Sequence, residues 1–325
     1  MQSSLRIQKV SIKAESLEGN MLGDSTSRDI ALISHNFDDE SPVLIGLAGF
    51  FGSGVSFLNR SYSSQDFIST LEKICLAEPE TSFMIALPNS MTSFFGNQYL
   101  NTPAVGNYED FIVKDVAGYI ENKFGKRKLG VFGKSSGGFG AYNLTIRNPT
   151  LFSGFVDVSG DSAFEYCYVR DFPDSIAAFR RDGIELFLEN FRKSPTHKPQ
   201  DLRAMGIAAM TAFYSPSMTE TGKLDLPFDI TTGLIDYKVW NKWLEFDPAR
   251  TVKSHIEALR NKKIVLQVGS HDEFSINIGM QSMHEALKSA GIDHEYREYD
   301  EGHFSIEYLY EYSLPKLISY LHNVK

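Results

Sequence analysis

Leu129-Gly130-Val131-Phe132-Gly133-Lys134-Ser135-Ser136-Gly137-Gly138 is the stretch that decides how this chain folds. Its first four residues form an apolar run too short for a helix, the kind that makes a strand buried on both faces of a parallel sheet. A helical pattern, Gly138 to Arg147, follows directly. Between strand and helix, glycine stands two residues before and two residues after Ser135, which is the G-x-S-x-G spacing of a nucleophile elbow. A serine at the apex of so tight a turn has strained backbone angles. Side chains at 133 or 137 would collide with the neighbouring chain, so both positions want glycine. The hydroxyl then stands above the sheet edge, where the N–H groups of the helix N-terminus favour an anion. Two rival readings fail on the residues. A phosphate-binding G-x-x-x-x-G-K-S loop needs glycine at 128, and Lys128 is there. Ser136 as nucleophile would put Lys134 where a small residue is required.

Outward from the elbow, more short apolar runs appear: Val43 to Ala48, Phe83 to Leu87, Phe152 to Val158, Ile264 to Val268 and the shorter His294 to Tyr299. Helical patterns separate them: Ser64 to Ala77, Tyr108 to Phe124, Ile278 to Ala290 and Ser305 to Leu321. Strands alternating with helices predict βαβ units and a mostly parallel sheet covered on both faces. The first forty residues read as strands and turns, with Leu5 to Ala14 alternating and Ile30 to Ser34 apolar. About ninety residues after Ser159 break the rhythm, without a clean strand and rich in Phe, Tyr, Met and both tryptophans. They predict a mainly helical cap over a site, with a packing appendage as the alternative. The organisation is therefore core at 1–161, cap at 162–247 and core again at 248–325.

A serine nucleophile needs a base, and the base needs a carboxylate. In a sheet of this type the chain order is Ser, then Asp or Glu, then His. Of eight histidines, only His303 lies in a loop after the last strand. Asp272, in the loop after Ile264 to Val268, fits the acid best. Glu273 is a neighbouring substitute, and Asp161, after the preceding strand, is the serious rival. The oxyanion hole should combine the N–H of Ser136 with one from Ala48-Gly49-Phe50-Phe51-Gly52-Ser53-Gly54, with Phe50 preferred and Phe51 as alternate. Phe51, Tyr99, Phe164, Tyr166, Trp240 and Trp243 are the candidate substrate-lining residues. His271-Asp272-Glu273 cannot easily converge on one ion, so no metal is expected, and no cofactor is called for.

Composition narrows the class further. The chain has 325 residues, 41 acidic and 32 basic, for a net charge of −9. At 42% hydrophobic and 22% charged it is a folded globular protein rather than a disordered one. An acidic chain without a basic cluster argues against nucleic acid and anionic membrane as partners. No apolar run approaches a membrane span, the N-terminus has no signal-like apolar core, and two cysteines make no disulfide framework. A cytoplasmic setting is the expectation, with a small-molecule ester or thioester as partner and a homodimer left open.

The runs Gln98-Tyr99-Leu100-Asn101-Thr102-Pro103, Gly106-Asn107-Tyr108-Glu109-Asp110 and Gly133 to Ala141 resemble the "Putative esterase" family. That family includes esterase D, enterochelin esterase, feruloyl esterase domains and mycolyltransferases. Gly160 to Tyr168, Pro227-Phe228-Asp229 and Trp240-Asn241-Lys242-Trp243 are similar to bacterial members of the enterochelin-esterase-like type. The resemblance spans roughly residues 40 to 322. It implies an α/β-hydrolase fold and a Ser135, Asp272, His303 triad. The function expected is hydrolysis of a carboxylic ester or thioester through an acyl-enzyme. The alternatives are acyl transfer from the same intermediate, which the mycolyltransferases bring in, and a non-catalytic hydrolase-fold binding module.

Overall fold

The structure, a computed structural model, describes residues 5–217 and 223–324. Eight strands form one sheet: β1 (Arg6–Lys13), β2 (Ser27–His35), β3 (Val43–Leu47), β4 (Phe83–Pro88), β5 (Leu129–Lys134), β6 (Phe152–Val158), β7 (Lys263–Gly269) and β8 (Glu295–Tyr299). Their spatial order is β1-β2-β4-β3-β5-β6-β7-β8. β2 runs antiparallel to both β1 and β4. All other neighbours are parallel. This is the α/β-hydrolase fold, mostly parallel and flanked by helices.

The pattern of side chains explains the order. Every residue of β3 and β4 is buried, as a strand covered on both faces demands. Burying each Val, Leu or Ile there contributes about 1.5–3 kcal/mol. Most of β1 is exposed, which suits an edge strand. Helices Phe67–Ala77 and Tyr310–Asn323 cover one face of the sheet. Helices Ala117–Phe124, Ser136–Arg147 and Ile276–Ser289 cover the other. The first helix opens at Phe67 rather than Ser64, because the Asp66 side chain accepts the Ser69 N–H at 2.8 Å and caps it there. The pattern from Tyr108 to Phe124 is helical throughout but passes through a π-helical stretch at Phe111–Val116.

After β6 the chain leaves the sheet for helices Phe164–Cys167, Phe172–Asp182, Ile184–Lys193, Pro199–Tyr214 and Tyr237–Leu244. Asp247 closes the base of this insertion. Its buried carboxylate accepts the N–H groups of Ala163 at 2.9 Å, Phe164 at 3.1 Å and Ala249 at 3.0 Å, so both ends of the excursion are tied to one side chain. Among the described residues, no helix is long and apolar enough to cross a membrane. Cys75 and Cys167 are unpaired and buried.

Candidate active site

Ser135 ends β5 with φ 58° and ψ −129°, a conformation that costs an L-residue energy and persists only when its surroundings enforce it. The two glycines supply the room. A Cβ at Gly133 would lie 2.3 Å from the Gly137 carbonyl, and one at Gly137 would lie 2.1 Å from the Leu47 carbonyl oxygen. The Ser135 N–H donates to the Val158 carbonyl at 3.0 Å, which pins the apex to β6. Lys134 pairs with Glu307 at 2.7 Å, and both line the cavity beside Ser135.

His303 and Asp272 meet on the loops that follow β8 and β7. His303 Nδ1 lies 2.8 Å from Asp272 Oδ2, and both side chains are almost fully buried. Asp272 Oδ1 is occupied separately by the Phe274 N–H at 2.9 Å, so the carboxylate cannot swing away from the ring. Glu273 plays a different part from its neighbour. Its carboxylate accepts the His303 backbone N–H at 2.5 Å and fixes the loop instead of the imidazole. The Phe274 ring stands edge-on to the imidazole, 4.7 Å between centroids. Ser135 and His303 line one cavity of about 870 Å³ at the C-terminal ends of the strands.

The loop after β3 forms another wall. The Phe51 N–H is taken by the Phe95 carbonyl at 3.0 Å, whereas the Phe50 N–H has no backbone acceptor among the described residues. Ser136 opens the helix, so its N–H has no partner one turn earlier. Phe50 and Ser136 both line the cavity with Ser135.

Asp161 is not beside the imidazole. It sits behind the nucleophile, 5% exposed. Its Oδ2 accepts Ser136 Oγ at 2.9 Å, Tyr168 OH at 2.8 Å and Gln98 Nε2 at 3.1 Å. Its Oδ1 accepts Ser135 Oγ at 3.4 Å. Beneath the elbow, burial pushes the Asp157 carboxyl up to about 8, and the charge of Asp161 adds to the shift. On the cap side, burial raises Asp171 to about 6 although Arg170 and Arg203 pull it down, and all three side chains line the cavity.

The cap aromatics are placed otherwise than the sequence led us to expect. Of the six candidate lining residues, Phe51 alone reaches the cavity. Tyr99 is buried under the elbow with its hydroxyl on the Ala48 carbonyl at 2.6 Å. Phe164, Trp240 and Trp243 are buried where the insertion joins the main core, and Tyr166 is exposed. The reason is that aromatic area is best buried against other rings. Phe164 packs edge-on or tilted against Tyr168 and Tyr214, as Trp240 does against Trp243 and Phe172, and Trp243 donates its Nε1–H to Ser215 Oγ at 2.8 Å. The cap wall of the cavity is made instead by Tyr168, Arg170, Leu202, Arg203, Ile207 and Met210. A helical stripe at 203, 207 and 210 was visible in the sequence but carries no mark that separates cavity from core. Among the described residues, no three His, Cys, Asp or Glu side chains form a group that could hold a metal ion.

The family described as "Putative esterase" matches residues 88–317, well over half of the chain. The chain belongs to that family. As an esterase of this family it is a carboxylic ester hydrolase. Solved structures share its fold over nearly the whole length. A ferulic acid esterase superposes with a TM-score of 0.60 at 16% identity, covering 98% of both chains. An S-formylglutathione hydrolase from Agrobacterium tumefaciens gives 0.58 at 13% identity, covering 99% of this chain and 97% of that one. The fluorophosphonate-binding serine hydrolase FphF from Staphylococcus aureus gives 0.57 at 12%, covering 98% and 99%. Likenesses at these identities speak for the fold of this esterase and not for its substrate. No curated protein matches the chain in sequence.

Proposed function

We propose that the chain hydrolyses a carboxylic ester or thioester through an acyl-enzyme on Ser135. The observation that carries this reading is the buried 2.8 Å pair of His303 Nδ1 and Asp272 Oδ2, on the same cavity as a serine held at φ 58°. With Nδ1 committed to the carboxylate, the imidazole keeps its proton there and offers Nε2 as base. Ser135 Oγ attacks the carbonyl carbon while its proton passes to His303 Nε2. The negative charge that forms on the carbonyl oxygen is met by the N–H groups of Phe50 and Ser136. Collapse expels the alcohol or thiol, which takes the proton back from His303. Water then enters, is deprotonated by His303, and releases the acid.

Asp161 is not the acid in this reading, because its oxygens are occupied by the elbow and by Tyr168. The test is Ser135→Ala. Turnover of a chromogenic ester and labelling by a fluorophosphonate probe should both vanish, with circular dichroism unchanged. Labelling that persists on another serine would refute the assignment. The same acyl-enzyme, challenged with an added alcohol, reports whether water is the normal acceptor.

A further inference from the structure

The two oxygens of Asp161 are in unequal situations. Oδ2 has three donors, from Ser136, Tyr168 and Gln98. Oδ1 has one contact, to Ser135 Oγ, and at 3.4 Å it is long for a hydrogen bond between oxygens. The residue is more than nine-tenths buried and lines the cavity. That single contact cannot survive the reaction proposed above, on which this inference rests. When Ser135 turns its proton toward His303, or carries an acyl group, it no longer donates to Asp161. Oδ1 is then a buried carboxylate oxygen with no donor among the described residues, and such a group costs free energy until one arrives.

We propose that Asp161 Oδ1 reads the substrate by accepting a hydrogen bond from a hydroxyl or ammonium group on the α carbon of the acyl chain. The acyl carbon is the part of the substrate bonded to Ser135 Oγ through both half-reactions, so its neighbours keep a fixed relation to Oδ1. An α substituent is the first position able to turn back to an oxygen that lies 3.4 Å from Oγ. Groups further along the chain pass beyond it toward Leu202, Ile207 and Met210. A plain acyl chain would leave Oδ1 unpaired, and sites that hold a buried polar group discriminate strongly against analogues lacking its partner. Oδ2 holds the carboxylate still for this task, since Tyr168 from the cap and Ser136 from the elbow grip it from two sides.

The experiment compares ethyl propionate, ethyl lactate and ethyl alaninate, which share one carbon skeleton and differ at the α carbon. Each kcat/KM is divided by the ester's own hydroxide rate to remove intrinsic reactivity. The lactate or the alaninate ester should exceed the propionate ester by about tenfold or more. Preference for lactate identifies a neutral donor, and preference for alaninate an ammonium. Asp161→Asn should bring the ratio close to one. Tyr168→Phe removes one of the three donors from Oδ2 and leaves Oδ1 in place, so it should lower the ratio by less than Asp161→Asn does. Inhibition of the unaltered enzyme by lactamide against propionamide reads the same contact without any substitution. No preference for either substituted ester or amide overturns the proposal, as does a preference that Asp161→Asn leaves intact. Fluorophosphonate labelling of Ser135 separates the two readings. A labelled enzyme without α preference refutes the role of Asp161 alone, whereas an unlabelled one refutes the nucleophile.

Discussion

The two walls of the cavity are built on different principles. The sheet-side wall consists of turns held by backbone geometry: a serine at positive φ, glycines that no side chain could replace, and a carboxylate locked by two separate partners. The cap-side wall is one face of helix Pro199–Tyr214 and the turn around Arg170, carried on an aromatic core of which Tyr168 alone among its rings reaches the site. Chemistry therefore depends on positions where a small change of geometry is decisive. On the cap side the cavity is lined by exchangeable side chains that the aromatic core supports, so chain-length preference is expected to lie there.

If this division is right, the largest effects lie on the sheet side. Asp272→Asn leaves the fold but favours the wrong imidazole tautomer, and kcat should fall by about 10⁴-fold. A loss below tenfold, with a larger loss in Asp161→Asn against every ester, would move the acid role to Asp161 and erase the distinction between the two carboxylates.

Within the cap, support and contact should separate. Trp243→Ala removes a fully buried ring and a hydrogen bond, so stability should drop by about 3–5 kcal/mol while relative rates across acyl chain lengths stay the same. Leu202→Ala should do the reverse, changing chain-length preference with a much smaller shift in Tm, since Leu202 is half-buried and lines the cavity. Denaturant unfolding and a chain-length series on both variants check this. A Trp243→Ala enzyme with altered selectivity at full stability would break the comparison.

An effect read only through pH, with no change expected in ester selectivity, concerns the layer beneath the elbow. Asp157 ionises at about 8 in the folded protein and at about 4 in the unfolded chain. Between those values the folded state holds one proton more, so its stability falls as pH rises through that window. Asp157→Asn removes this slope. The Tm of the variant relative to the original protein should climb steadily as the pH is raised from about 4 to about 8. A difference that does not change with pH would mean that Asp157 is ionised throughout.

The sheet and the elbow were readable because their demands are local. A strand covered on both faces must be apolar along its length, as Val43 to Leu47 is, and a turn this tight admits only glycine at 133 and 137. The placement of His303 and Asp272 followed from chain order, because each must lie past the end of a strand of the same sheet. In sequence Phe50 was preferred for the oxyanion hole, with Phe51 as the alternate. Which amide is left over depends on where Phe95 puts its carbonyl.

The cap was legible only as composition. Its aromatic richness reads the same whether the rings face a cavity or one another. Tertiary packing turned most of them toward one another, with Tyr168 also facing the cavity, because ring against ring buries more area than ring against water-filled space. The twofold character of Asp161 was likewise hidden, since its partners Gln98, Ser136 and Tyr168 come from three separate stretches of chain. The sequence by itself thus determined the elbow, the strand segments and the residue types of the site, since backbone sterics and burial act on near neighbours. Only the tertiary structure decided which side chains face the substrate, because that depends on contacts between segments far apart in the chain.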